Sequence, residues 1–187
     1  MSEARAIIEV LNEEGIAAHA HFQVWWVLRN LAIPRFLPTM NNLEYVDFFH
    51  ASSAGHYKLF LLALSKIFDR DTRVSGLREL RRALEQEGCN DLAVYIGKEL
   101  NPLRKHISAI IGIRNQSLVH NERVLPRTKV YQINGVTPNQ IRSLIDKTTK
   151  AINYVASELG ITNTIFDSDR AQRATIRMLE TLQRGST

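Results

Sequence analysis

Apolar residues recur along most of the chain at three- and four-residue spacing, the period of a helix face. Ser2 can cap a first helix through about residue 12, with Ile7, Ile8 and Leu11 on one face and Gly15 as an interruption. A second run, residues 16–31, carries Phe22, Trp25, Trp26 and Leu28. Adjacent tryptophans can stack on nucleobases, but large aromatics more often anchor a core. Residues 32–42, with Pro34 and Pro38, read as a loop. A long helix is expected over residues 43–68, its stripe formed by Val46, Phe49, His50, Tyr57, Phe60, Leu61, Leu64 and Ile67. His50 falls in that stripe as a core histidine, and His56 falls off it, toward solvent.

The charged turn 69–75 leads to a short helix over residues 76–87, with Ser75 as cap and Gly88 as terminator. Residues 90–100 form the next helix. Asn101-Pro102 then either starts a new helix or kinks a continuous one, and Leu103, Ile107, Ile110 and Ile111 carry the pattern to Val119. Residues 121–136 look irregular, with Asn134-Gly135 as a turn and room for a short hairpin at residues 130–133. Thr137-Pro138-Asn139-Gln140 is a strong helix start, and Gly160 ends that helix. A last helix spans about residues 169–183, with Arg170, Arg173 and Arg177 along one edge. The sum is an all-α helical bundle of six to seven helices.

Composition adds limits rather than identity. A chain of 187 residues is long enough for one domain with a full core, so residues 1–187 are read as a single domain. Its formal charge of +5 permits an acidic partner such as RNA without demanding one. One cysteine, Cys89, rules out a disulfide within the chain and fits a reducing, cytoplasmic setting. The longest clean apolar run, residues 59–64, is far short of the ~20 residues of a membrane span. There is no Gly-rich phosphate loop, no HExxH and no Cys/His metal spacing, so neither cofactor nor metal is expected. His19 and His21, two apart, would lie on different sides of a helix. Ser52, Ser53 and Cys89 have no activating base evident in the sequence.

Candidate chemistry concentrates in residues 107–121, ISAIIGIRNQSLVHN. Arg114 shares the apolar face of Ile107, Ile110 and Ile111, and a cation there needs a partner or a purpose. Asn115 follows it, and His120 lies about 120° from Arg114 on an ideal helix of 3.6 residues per turn. The two side chains converge only if the helix end loosens at residues 118–120, or if a second chain completes the site. Histidine can move protons at the 2′-hydroxyl or 5′-oxygen of RNA, and arginine can hold the phosphate oxygens. An arginine pinned by a carboxylate or by helix-end carbonyls, with the histidine as a C-terminal cap, is the structural alternative. Arg78, Arg81 and Arg82, preceded by Arg70 and Arg73, form the densest basic patch. It reads either as a solvated face of mixed ion pairs or as an RNA-contact surface.

The segment Arg114-Asn115-Gln116-Ser117-Leu118-Val119-His120 resembles the arginine–four-to-six residues–histidine motif of the HEPN superfamily. Residues 101–114 (NPLRKHISAIIGIR), 48–71 (FFHASSAGHYKLFLLALSKIFDRD) and 74–84 (VSGLRELRRAL) resemble its type-U abortive-infection branch. The resemblance covers about residues 43–160, with the N-terminal helices and the helix at 169–183 as additions. It implies a homodimeric helical bundle whose motifs face each other. In catalytic members that cleft is a metal-independent endoribonuclease of toxin or phage-defence type, in some systems held by an antitoxin protein. Carried over, His120 would be the general acid/base, Arg114 the phosphate clamp and Asn115 the positioning residue. Other members are non-catalytic modules that bind RNA or a protein. One toxin subgroup carries a modifiable tyrosine two residues after the histidine. That position here is Glu122, which can instead pair with Arg114 or His120 as a modulator of the site.

Overall fold

The computed structural model describes residues 2–119, 134–161 and 168–185, with backbone alone for residues 117–119. Among these the chain is all-α. Helix α1 (Glu3–Trp26) is capped by the Ser2 side chain and runs into a π-helical segment, Val27–Leu31. Then come α2 (Ile33–Met40), α3 (Val46–Ile67), α4 (Leu77–Gln86), α5 (Asn90–Leu100) and α6 (Arg104–Ile113). A second π segment, Arg114–Val119, extends α6. Helices α7 (Pro138–Glu158) and α8 (Arg170–Gly185) complete the described chain.

Two local expectations give way to packing. Gly15 does not interrupt α1; it is buried within a helix that also buries Ile7, Ile8, Leu11, Ala18 and Phe22. That burial outweighs the roughly 0.5–1 kcal/mol helix penalty of one glycine. Residues 33–40 are a helix rather than a loop. Pro34 sits in its first turn, where no amide donor is needed, and Pro38 forfeits one bond while Phe36 and Met40 are buried. Between α5 and α6, Asn101–Leu103 form one 3-10 turn, which accommodates Pro102 without a long kinked helix. The cap of α4 is Gly76 rather than Ser75. The expected hairpin at residues 130–133 lies outside the described residues.

The main core joins α1, α3, α4, α5, α6 and α7, with Phe60, Leu64, Leu80, Ile96, Ile110, Leu144 and Ile152 at its centre. Trp25 and Trp26 are partly buried against this core: they cluster with Phe22, Tyr57 and Phe60, and the Arg142 guanidinium lies 4.1 Å from the Trp26 ring centroid. A smaller apolar cluster, including Leu28, Phe36, Met40, Phe49 and Leu179, joins α2 and α8 to the start of α3. No described helix is long and apolar enough to cross a membrane.

Two histidines depart from the periodicity. His50 is exposed rather than in the core. His56 is half-buried and meets His21 of α1, with their Nδ1 atoms 2.9 Å apart. One ring must donate and the other accept, so the pair cannot be doubly protonated and keep this bond. Burial lowers the pKa of both, and at His56 the charge of His21 adds to it. The unfolded chain therefore takes up these protons first as pH falls. The pair's contribution to stability should be fully present above about pH 6.5 and be lost progressively below it. Urea unfolding of the wild type and of His21→Gln/His56→Gln between pH 7.5 and 5 checks this, with the wild type showing the steeper loss.

Candidate functional site

The site begins where α3 ends. The Phe68 and Asp69 amides donate to the Leu64 and Lys66 carbonyls, closing the last turn. Asp69 Oδ1 accepts the Asp71 amide at 3.1 Å, and Asp71 Oδ1 accepts the Arg73 amide at 2.9 Å. Hydrogen bonds from the Arg73 side chain, then its backbone, hold the Asp71 carboxyl down at about 2. The chain turns back so closely that a Cβ on Gly76 would stand 2.9 Å from the Asp69 carbonyl oxygen. Glycine is required there by space, and the tight loop fixes Asp69.

With Oδ1 committed to the loop, Asp69 Oδ2 faces α6 and accepts a hydrogen bond from Arg114 Nη1 at 3.3 Å. The Arg114 and Asp69 side chains keep 29% and 25% of their surface exposed. Arg114 Nε is buried and has no hydrogen-bond partner among the described residues. The cation on the apolar stripe therefore has a partner in Asp69 and keeps part of its side chain exposed. Arg114 also opens the π segment, where the ladder widens from i→i+4 to i→i+5 bonds. Such segments are rare and often mark functional sites, because they re-aim side chains. The helix widens over Arg114–Val119, and His120 lies outside the described residues.

Arg114 lines a cavity of about 290 Å³ together with Phe68, Asp69, Arg70, Ser108, Ile111 and Asn115. Phe68, Asp69, Arg70 and Ser108 also border a larger groove of about 700 Å³ between α4 and α5–α6. Arg70, Arg78, Arg81, Arg82 and Arg104 line this groove, against the two carboxylates of Asp69 and Glu85, over a floor that includes Leu77, Ile96 and Ile107. Several of these arginines are steadied by one contact. Arg78 donates to the Arg70 carbonyl at 3.0 Å, Arg81 to the Ala93 carbonyl at 3.2 Å, and Arg82 pairs with Glu79 at 3.3 Å. Each guanidinium has five donors, so such contacts leave capacity for a ligand's oxygens. The patch is thus partly a mixed ion-pair face, as one reading of the sequence had it, and partly an open cationic groove.

Of the residues singled out in the sequence, Arg114 and Asn115 share one cavity, and Arg78, Arg81 and Arg82 share the groove that continues it. His120 and Glu122 lie outside the described residues. The residue that sequence reasoning missed is Asp69, whose signal was present in the quoted FDRD segment. Arg104 and Ser108 were also missed, having no signal beyond their place on α6.

The model of the HEPN-type AbiU2 family matches residues 1–177. The chain belongs to the AbiU2 family. The match takes in α1 and α2 as well as the segments that carried the resemblance. Comparisons with curated proteins and with solved structures find no match. In this AbiU2-family chain the motif arginine is joined to the FDRD loop by the Asp69–Arg114 pair.

A partly exposed pair of this kind lies between surface bridges, worth up to about 1 kcal/mol, and buried ones, whose breakage costs about 3–5. A double-mutant cycle of Asp69→Ala and Arg114→Met in urea unfolding should return a coupling of about 1 kcal/mol. A coupling near zero would mean that the loop, not the ion pair, sets the geometry.

Proposed function

We propose that this AbiU2-family chain is a metal-independent endoribonuclease acting in phage defence or as a toxin. Its site would be an arginine–histidine composite at a homodimer cleft. The observation that carries the reading is Arg114. It is oriented by Asp69, keeps part of its side chain exposed, stands beside Asn115 on an open cavity, and connects to an arginine-lined groove.

The chemistry follows from the residue types. The His120 imidazole takes the proton of a ribose 2′-hydroxyl, and the 2′-oxygen attacks the adjacent phosphorus. Arg114 holds the non-bridging oxygens as their charge grows, and Asn115 fixes the phosphate by hydrogen bonding. The bond to the 5′-oxygen breaks, and that oxygen leaves with a proton supplied by an acid, the His120 of the second protomer in a two-fold cleft. The products are a 2′,3′-cyclic phosphate and a 5′-hydroxyl. Arg78, Arg81 and Arg82 bind the flanking RNA, and Glu122 modulates the charge near the motif. A cytoplasmic setting and control by an antitoxin protein complete the proposal.

A second reading, a non-catalytic module that binds RNA or a protein partner, draws support from the same ion pair, because Asp69 offsets part of the Arg114 charge. The two readings separate on one assay. Purified chain, incubated with RNA in EDTA, should yield fragments with 2′,3′-cyclic phosphate ends and leave the matching DNA intact. Arg114→Ala and His120→Ala should each lower the rate by 10²-fold or more. RNA retention without cleavage supports the binding module, and cleavage unchanged in both variants removes the motif from the chemistry.

A further inference from the structure

Contacts between α1 and α3 pair rising residue numbers with falling ones, so the two helices run antiparallel. Glu14 meets Lys66 at 2.6 Å, the Phe22 and Phe60 ring centroids are 5.4 Å apart, and those of Trp25 and Tyr57 are 5.6 Å apart. With the register fixed in this way, each helix directs one imidazole at the other. The His21 and His56 Nδ1 atoms are 2.9 Å apart, and the ring centroids 5.0 Å. None of the ion pairs among the described residues involves either histidine. The pair is remote from the Arg114 cavity: His56 is twelve positions from Phe68, or roughly 18 Å along a helix.

Two imidazole nitrogens that share a near-tetrahedral zinc ion, each ~2.0–2.1 Å from it, stand about 3.3 Å apart, with their ring centroids about 5.2 Å apart. The centroids of His21 and His56 are already at 5.0 Å, so the ring positions suit such a chelate. A pivot of each ring aims both Nδ1 lone pairs at one point and widens their separation by about 0.4 Å. In the hydrogen-bonded pair one ring carries its proton on Nδ1 and the other on Nε2. On binding metal the first ring's proton moves, through water, to its own Nε2. Both rings then meet the ion as neutral ligands, and no net proton is released.

Among the described residues no third histidine, cysteine or carboxylate joins the pair. Both rings are half-buried, so water reaches the remaining coordination positions. Such a site is open and exchangeable, unlike the closed four-ligand sites that hold structural zinc. Two imidazoles suit zinc and its neighbours among the divalent transition metals, whereas magnesium and calcium require oxygen ligands.

We propose that His21 and His56 form a site for a divalent transition metal ion of the zinc type, which clamps α1 to α3. The ion takes no part in the proposed RNA cleavage. It ties the N-terminal helix to the helix that leads into the Asp69 loop. Local metal-ligand spacing does not reveal the site, because its ligands lie on different helices, 35 residues apart.

The test is calorimetric titration of the full-length chain with ZnCl2, with Tm measured alongside. One ion per chain is expected, and saturating zinc should raise Tm by about 3 °C or more. MgCl2 should show no saturable binding. His21→Gln and His56→Gln should each weaken zinc at least tenfold, while His19→Gln and Cys89→Ser should leave it unchanged. His56→Cys offers a thiolate instead, whose ~2.3 Å bond to zinc offsets the shorter side chain, and should bind within tenfold of wild type. With CoCl2 this variant should show sulfur-to-cobalt charge-transfer absorption that the wild type lacks, which separates ligation from a loss of folding. Zinc binding that survives both glutamine variants, that is lost in His19→Gln or Cys89→Ser, or that takes two chains per ion would overturn the proposal. So would the absence of saturable zinc binding, equal binding of magnesium, or a His56→Cys cobalt spectrum identical to that of wild type.

Discussion

The candidate site of this molecule depends on one carboxylate. Asp69 leaves α3 in a loop so tight that Gly76 has no room for a side chain, and its two oxygens are divided between that loop and Arg114. A flexible arginine on an isoleucine-rich face would otherwise sample many rotamers or turn fully to water. The ion pair narrows that choice and costs the cation only part of its bonding capacity. In the reading advanced above, the same contact makes the guanidinium a preorganised phosphate clamp.

The bundle supplies the rigidity that this arrangement needs. Helix α3 is held by α1 along its length, and its C-terminal half buries Phe60, Leu61, Leu64 and Ile67 immediately before the Asp69 loop. Ile110 and Ile113 anchor α6 in the same core, one residue short of Arg114. The regular helix therefore ends in packed hydrocarbon and widens where the polar motif starts. The AbiU2 match over residues 1–177 agrees with a design in which the N-terminal helices are part of this scaffold.

Local signals in the sequence were legible where the chemistry is local. Thr137 and Gln140 form the reciprocal capping box that their spacing announces, and Gly88 and Gly160 end helices at φ +78° and +67°. The helix face of Arg114 and its pairing need were equally readable. What stayed hidden depends on contacts between distant residues. The helix at Ile33–Met40 overrides two prolines because Phe36 and Met40 find a core with Leu179 of α8. His56 was placed in solvent because its partner, His21, is 35 residues away. Asp69 lay in a quoted motif, yet its link to Arg114 spans 45 residues and no local rule anticipates it.

In the proposed RNA cleavage, the central claim is that Asp69 is a positioning residue that acts only through Arg114. The direct measurement is kcat and KM for cleavage of a short RNA by Asp69→Asn, compared with wild type and with the Arg114→Ala/Asp69→Asn pair. The amide is nearly isosteric and keeps the loop's acceptor, so the fold is retained while the ionic hold on the guanidinium is lost. The account predicts a fall in kcat of about tenfold, equivalent to about 1.4 kcal/mol in the barrier, with KM little changed. It also predicts no further loss when Asp69→Asn is added to Arg114→Ala. Full activity in Asp69→Asn, or an independent loss in the double variant, would contradict it.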